Sequence, residues 1–172
     1  MSAWIWFMVA GTLCWIVYAA PAKPAPGEVV PWQGIFVKVA GGRWIDRAAQ
    51  IQAESRFDPM AHSPVGAKGG AQFMDATWKE WGHGSPYDPS AFIPANHNFM
   101  TWIEARVGGQ LDPGLASYNW SLGRVLQIQR RIAAIGEPGN QAWVRLCPAE
   151  TQGYLLHNSQ NRARIRALGG KP

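Results

Sequence analysis

The sequence predicts a mainly α-helical domain of five to seven short helices, preceded by one transmembrane helix. No stretch alternates apolar and polar residues for long enough to form a strand. Asp-Pro pairs at 88–89 and 112–113 are typical of an N-cap followed by proline at the first helical position. Residues 2–20 contain no charged side chain, and nineteen helical residues span about 28 Å, close to the thickness of a bilayer core.

The composition excludes several classes of protein. The chain has 172 residues, of which 47% are hydrophobic and ten are Trp, so it is not a disordered chain. Two cysteines are too few for a disulfide framework or a Cys-rich metal site. The four histidines lack the spacing of two ligands on one helical turn, and no glycine-rich phosphate loop is present. We therefore expect neither a metal nor a cofactor.

The apolar segment 2–20 is predicted to be a membrane anchor. Its aromatic residues lie toward both ends, where amphipathic rings prefer the headgroup level: Trp4, Trp6, Trp15 and Tyr18. A cleaved signal segment is the main alternative, but it needs a positive region, and the first basic residue is Lys23. A buried core helix is the second alternative, and it is disfavoured because 4–8 leaves no polar face.

Residues 21–31 are predicted to form a linker and 32–172 to form one domain. The linker holds four prolines and one glycine, so we expect an extended spacer that places the domain about 30 Å from the membrane. The domain has enough residues for a core of its own. All charged residues follow the apolar segment, so the net charge of +5 belongs to this part of the chain.

Three helices of the domain can be outlined from the pattern. The first is predicted over 44–57, because Pro59 disfavours helix at the residue before it. The second follows an apolar stripe at helical spacing that Gly136 ends; its members are Val125, Ile128, Ile132 and Ile135. The third is predicted over 148–168, with basic residues toward its C-terminal end.

Glu54 is the residue that best fits acid–base chemistry. It lies near the C-terminal end of the helix over 44–57, after an uncharged run from Ala48 to Ala53. Apolar surroundings and the negative end of the helix dipole both disfavour the ionised carboxyl, so we expect a raised pKa. A carboxyl with a raised pKa is suited to act as a general acid. The alternative is a surface glutamate paired with Arg47 or Arg56.

Three sequence blocks occur in a fixed order around and after Glu54. In the first, Glu54-Ser55 is followed by Pro59, Ser63, the run Gly66-Ala67-Lys68-Gly69 and Gln72. The second reads Ala116-Ser117-Tyr118-Asn119-Trp120, and the third contains Glu150-Thr151 and Tyr154. With these blocks the sequence resembles the soluble lytic transglycosylase domain, the goose-lysozyme-like enzymes that cleave peptidoglycan. The resemblance runs from about residue 43 to residue 154.

The resemblance implies a small lysozyme-like helical fold and a function. It implies a lytic transglycosylase that cleaves the β-1,4 bond between N-acetylmuramic acid and N-acetylglucosamine and forms a 1,6-anhydro-muramyl product. Glu54 matches the sole catalytic acid/base of the family. Two alternatives stay open: a muramidase that hydrolyses the same bond, and a non-catalytic module that binds the cell wall.

The resemblance also implies a set of substrate-binding residues: Ser55, Gln72, Tyr118, Asn119, Trp120, Glu150 and Tyr154. Amides such as those of Gln72 and Asn119 both donate and accept hydrogen bonds, as sugar hydroxyls and N-acetyl groups require. For each of these residues the alternative is a structural role. For Ser55 that alternative is a hydroxyl bonded to its own helix backbone.

The sequence departs from the family pattern at several positions. Gly70-Ala71 stand where the family has Leu-Met, Ser121-Leu122 replace the usual Gly-Pro, and Phe92-Ile93 replace Asn-Ile. We expect the loss of Leu-Met to thin the apolar lining beside Glu54.

The implied substrate determines the expected location and partners. Peptidoglycan lies outside the cytoplasm, so we expect a membrane-anchored protein whose catalytic domain faces the periplasm or the cell exterior, or a virion membrane if the chain is viral. This overrides the weak positive-inside bias after residue 20. The expected partners are peptidoglycan glycan strands, the membrane through 2–20, and secretion, conjugation or virion assembly machinery. Nucleic acid is not expected, because the basic residues of the C-terminal half are dispersed.

Overall fold

The computed structural model describes residues 6–9, 12–15, 22–135 and 143–171, and it divides into two compact units. Unit 1 comprises residues 1–99 and 158–172, and unit 2 comprises residues 100–157. The two strands are β1 (Trp6–Val9) and β2 (Thr12–Trp15). The seven α-helices of the described residues are α1 (Gln33–Ala40), α2 (Trp44–Ser55), α3 (Asp75–Trp81), α4 (Pro89–Arg106), α5 (Leu111–Ala116), α6 (Leu122–Ile135) and α7 (Ala149–Ala167). Short 3-10 helices precede α2 (Gly41–Arg43) and α7 (Val144–Leu146), and a π-helix (Ser117–Ser121) joins α5 to α6.

The N-terminal segment differs from its prediction wherever the structure describes it. The strands β1 and β2 pair antiparallel, so the prediction of helix is wrong for these two stretches. Their sequences, WFMV and TLCW, are rich in the aromatic and β-branched residues that favour strands. The other residues of the predicted helix over 2–20 lie outside the described residues. Among the described helices, none combines the length and the hydropathy needed to cross a bilayer.

The linker is folded against unit 1 rather than extended over residues 22–31. The N–H of Glu28 donates to the carbonyl of Ala25, which closes a turn, and Val30 and Pro31 are buried. The N–H of Ala22 donates to the carbonyl of Phe57 at 3.0 Å. The prediction of an extended spacer failed because it treated the prolines only as helix breakers and did not consider the stability that Val30 and Pro31 gain by burial.

Helix α2 matches its prediction closely. It begins at Trp44 as predicted and ends at Ser55, two residues before the predicted end. Arg56 and Phe57 both have positive φ angles, 56° and 63°, and so leave the helical conformation before Pro59. Trp44 is buried, and its indole N–H donates to the carbonyl of Lys171, which fixes the C-terminal end of the chain to the start of α2.

The two predicted Asp-Pro helix starts have different outcomes. Helix α4 begins at Pro89, and Asp88 Oδ1 accepts the N–H of Ser90 at 2.8 Å, so the first start is confirmed. Helix α5 begins at Leu111 with Gln110 as its N-cap, so the second start is wrong by two residues. Pro113 still lies in the first turn, where its missing N–H leaves no helical hydrogen bond unmade.

The later helices follow the predicted stripe and bounds. Val125 is buried on α6, Ile128 and Ile132 are half-buried, and the predicted helix end at Gly136 lies outside the described residues. Helix α7 matches the predicted 148–168 within one residue at each end. Helix α4 has 18 residues and is longer than the short helices predicted. The helix continues through Pro94, which lies in its interior.

The largest buried apolar side chains of unit 1 include Phe36, Ile51, Phe73, Phe92 and Ile165.

Candidate functional site

Glu54 lies at the C-terminal end of α2, in unit 1. It is the penultimate residue of the helix and its side chain is half-buried. The neighbouring Ser55 is fully buried, and its hydroxyl donates to the carbonyl of Ile51 at 3.2 Å. The Ser55 hydroxyl therefore makes the helix-backbone bond that was its structural alternative. Glu54 therefore lies at the negative end of the α2 dipole.

A tight turn follows Glu54 and fixes the end of α2. The N–H of Arg56 donates to the carbonyl of Gln52, and the N–H of Asp58 donates to the carbonyl of Ser55, both at 3.0 Å. Asp58 is buried, and its Oδ1 accepts the N–H of Met60 at 2.8 Å. Such a side-chain-to-backbone bond two residues on is typical of aspartate in a turn. Asp58 was not predicted from the sequence, although the Asp-Pro pair at 58–59 was a usable signal.

The loop between α2 and α3 is built from backbone hydrogen bonds. Lys68 and Phe73 exchange two such bonds at 2.9 and 3.0 Å. Gln72, the predicted substrate-binding amide of this loop, has a φ of 52° and is half-buried. Its Nε2 donates to the carbonyls of Gly69 (2.8 Å) and Ala61 (3.2 Å). Its Oε1 is buried and has no hydrogen-bond partner within the described residues. The amide nitrogen is therefore committed to the loop, and the amide oxygen keeps acceptor capacity.

Two departures from the family pattern compensate for each other in unit 1. Gly70 stands where the family has an apolar side chain, and the ring of Phe92 fills the space that a side chain at position 70 requires. A Cβ at Gly70 would lie 2.4 Å from Cζ of Phe92. Phe92 is fully buried and contacts Trp32 edge to face, with ring centroids 5.6 Å apart. Phe92 therefore supplies apolar packing at position 70, and the thinner lining beside Glu54 stays a prediction.

We expect Gly70→Leu to lower the free energy of unfolding by about 2 to 3 kcal/mol, because the new side chain and the Phe92 ring cannot share one space. The double variant Gly70→Leu/Phe92→Ala should recover at least half of this loss, since it reopens the space. The two single variants and the double variant form a thermodynamic cycle that urea unfolding measures. Strictly additive losses would show that the two positions do not compensate.

The Tyr-Asn pair lies on the π-helix of unit 2. Tyr118, Asn119 and Trp120 are all half-buried there. The hydroxyl of Ser117 donates to the carbonyl of Pro113 at 2.7 Å and fixes the start of this turn. A π-helical turn is rare and is frequently found at functional sites, because it redirects side chains relative to a regular helix. The sequence analysis identified this block from its residues but did not predict that it forms a π-helix.

Asn119 is joined to the start of α7 within unit 2. The hydroxyl of Thr151 donates to Oδ1 of Asn119 at 2.9 Å. Thr151 lies in the third sequence block but was not predicted as a site residue. Its neighbour Glu150 is half-buried, and burial raises the pKa of its carboxyl. Tyr154, one turn further along α7, is almost completely buried. The second and third blocks are thus brought together through the bond between Asn119 and Thr151.

Trp120 is the predicted stacking residue and lies beside a cation. The guanidinium of Arg124 lies over its indole ring, 5.4 Å from the ring centroid. This arrangement keeps one face of the indole against Arg124 in unit 2. The predicted site residues are divided between the units: unit 1 holds Glu54, Ser55 and Gln72, and unit 2 holds Tyr118, Asn119, Trp120, Glu150 and Tyr154.

Comparison with known proteins agrees with these features. Curated relatives include two proteins named membrane-bound lytic murein transglycosylase F. The one from Desulfosudis oleivorans is 33% identical over 107 residues, which cover 59% of this chain and 24% of the relative. The one from Pasteurella multocida is 28% identical over 114 residues, which cover 62% of this chain and 23% of the relative. The chain thus spans about a quarter of the length of the curated relatives it matches.

Two solved structures of lytic transglycosylases have a fold similar to that of this chain. The 70 kDa soluble lytic transglycosylase from Escherichia coli matches 81% of this chain and 25% of its own chain, with 26% identity and a TM-score of 0.69. A 70 kDa soluble lytic transglycosylase in complex with bulgecin A matches with 25% identity and a TM-score of 0.71, again over 81% of this chain and 25% of its own. The predicted mainly α, lysozyme-like fold of the domain is therefore confirmed.

The family assignment comes from the match to a family model. The model described as the Transglycosylase SLT domain matches residues 48–136, just over half of the chain. This range contains Glu54, the loop that holds Gln72, and the π-helix that carries Tyr118 and Asn119. The chain belongs to the Transglycosylase SLT domain family.

Proposed function

We propose that this chain is a peptidoglycan lytic transglycosylase with Glu54 as its sole catalytic acid/base. It cleaves the β-1,4 bond between N-acetylmuramic acid and N-acetylglucosamine and leaves a 1,6-anhydro-muramyl end. The observation that carries this proposal is the family match over 48–136, which spans the half-buried Glu54 at the end of α2 and the Tyr-Asn pair on the π-helix. The names of the curated relatives support the same activity.

The proposed reaction has two proton transfers and one bond exchange at the muramyl C1 carbon. The Glu54 carboxyl donates its proton to the glycosidic oxygen, and the bond from C1 to that oxygen breaks. The acetamido group of the muramyl sugar supports the positive centre. The oxygen of the same sugar's 6-hydroxyl then bonds to C1, and the Glu54 carboxylate takes the hydroxyl proton. The carboxyl is regenerated, and no water is consumed.

This chemistry needs only one carboxyl group. Glycosidases that use an external nucleophile or a water need a second carboxylate at a defined separation. Here the nucleophile belongs to the substrate and gains the effective molarity of an intramolecular reaction. We propose that the other matched residues bind the sugar rather than transfer protons. Among them, the buried Oε1 of Gln72 and the half-buried Tyr118, Asn119 and Trp120 offer acceptors, donors and a ring for that purpose.

We also propose that residues 2–20 hold the enzyme in a membrane, with the catalytic domain over 32–172 outside the cytoplasm. The segment carries no charged side chain, so placing it in a bilayer does not bury an ionised group. The name "membrane-bound" of both curated relatives supports this proposal. The full chain should sediment with membranes and resist extraction by high salt, whereas a variant without 2–20 should not.

Digestion of purified sacculi tests the proposed activity. We expect the full chain in mild detergent to release muropeptides with anhydro-muramyl ends, each lighter than the hydrolysed product by the mass of one water. Mass spectrometry of the soluble products reads this directly. Release of reducing muramic ends alone would indicate a muramidase. Binding to sacculi without any release would indicate a non-catalytic wall-binding module.

A further inference from the structure

Residues 22–32, here called the strap, enclose the turn that follows Glu54. At one end of the strap, the N–H of Ala22 donates to the carbonyl of Phe57 at 3.0 Å. At the other end, the indole of Trp32 contacts the ring of Phe57 edge to face, with centroids 6.0 Å apart and an interplanar angle of 75°. Phe57 is buried, with 6% of its surface exposed. Both ends of the strap therefore hold one residue, three positions after Glu54.

The strap has a defined internal structure. The carboxylate of Glu28 accepts the N–H of Gly34 at 2.9 Å and the N–H of Ala25 at 3.3 Å. The N–H of Val29 donates to Oε1 of Gln33 at 2.8 Å. The bonds with Gly34 and Gln33 join the strap to the start of α1, where a carboxylate also suits the positive end of the helix. The Trp32 end of the strap is therefore fixed to α1 by two hydrogen bonds that do not involve Ala25.

The turn at Arg56 and Phe57 has an unfavourable backbone conformation, so it depends on contacts with surrounding residues. Arg56 and Phe57 are successive non-glycine residues with φ angles of 56° and 63°. Each left-handed residue of this kind costs about 1 to 3 kcal/mol and persists only where its surroundings determine it. Trp32 also contacts Phe92 edge to face, so the strap, the turn and α4 share one aromatic cluster within unit 1.

We propose that the strap is a positioning element for the catalytic carboxyl. Ala22 and Trp32 hold the Phe57 turn, and the turn sets where α2 ends and where the Glu54 side chain points. Ala22 and Trp32 are therefore positioning residues, which act on Glu54 through Phe57. This inference rests on the proposed role of Glu54 as the acid, but the geometry of the strap does not depend on that role.

Four variants of the full chain test the strap. Trp32→Ala removes the ring, Trp32→Phe restores an aromatic contact, and Ala22→Pro removes the N–H that bonds Phe57. Ala25→Pro is the matched control, because the N–H of Ala25 donates to Glu28 inside the strap and not to the turn. We expect Trp32→Ala and Ala22→Pro to lower kcat on sacculi about tenfold or more with KM nearly unchanged. Trp32→Phe should recover most of the loss, and Ala25→Pro should stay within about twofold of the wild type.

Hydrogen exchange gives a readout that does not depend on activity. The amides of Asp58 and Ala61 lie in hydrogen bonds of the turn and should exchange about tenfold faster in Trp32→Ala and Ala22→Pro, but not in Ala25→Pro. Unchanged kcat and unchanged exchange in both variants would overturn the inference. A wild type that releases no anhydro ends, yet shows the expected exchange pattern, would instead refute the proposed function and leave the strap in place.

Discussion

Glu54→Gln is expected to lower kcat on sacculi by at least about a hundredfold, which is the largest effect on activity that we predict. Glutamine keeps the shape of the side chain and much of its hydrogen bonding but has no proton to give to the glycosidic oxygen. No second carboxyl is assigned to the reaction, so no other group replaces the donor. The release of anhydro-muropeptides, measured under initial-rate conditions, gives kcat and KM for both proteins.

The matched control for this experiment is Glu80→Gln. Glu80 is exposed on α3 in unit 1, so the same chemical change is made outside the proposed site. We expect Glu80→Gln to keep wild-type activity and both variants to keep the circular dichroism spectrum of the wild type. If Glu54→Gln cleared sacculi at near the normal rate, another carboxyl would have to be the acid.

The largest effect on stability is expected for Gly69→Ala. Gly69 has a φ of 73°, and a Cβ there would lie 1.7 Å from the carbonyl oxygen of Pro86. The backbone cannot simply move away, because the Gly69 N–H donates to Ala61 and the Gly69 carbonyl accepts from Gln72. We therefore expect a loss of about 3 kcal/mol or more in the free energy of unfolding, measured by urea denaturation.

Gly66→Ala separates the two causes of this loss. Gly66 also has a positive φ, 95°, but a Cβ there would have the flexible end of Met74 as its nearest neighbour, at 4.0 Å. Gly66→Ala should therefore cost only the backbone strain of about 1 to 2 kcal/mol. Equal losses for the two variants would mean that the contact with Pro86 does not decide the stability of this loop.

The sequence predicted those features that depend on local pattern. Pro59 limited where α2 could end, and the Asp-Pro pair at 88–89 marked the start of α4. The position of Glu54 near the end of α2 is confirmed, and its catalytic role stays a prediction that rests on the order of the three blocks. The two proline signals lie within a few residues of the helix ends that they predict.

The features that the sequence did not predict depend on contacts between distant residues. The ring of Phe92 fills the space at Gly70, which only the tertiary packing shows. The strap folds onto Phe57 because Trp32 and the apolar pair at 30–31 find buried surroundings that a proline count does not reveal. The π-helix at 117–121 is a deviation of about one residue per turn, and no local residue pattern distinguishes it from a regular helix.

The central claim is that the sugar's own alcohol, and not water, attacks the muramyl carbon after Glu54 has given up its proton. Digestion of sacculi by the full chain in water enriched in heavy oxygen tests this most directly, with mass spectrometry of the new muramyl ends. We predict that these ends carry no solvent oxygen. One heavy oxygen atom at each new muramyl end would contradict the claim.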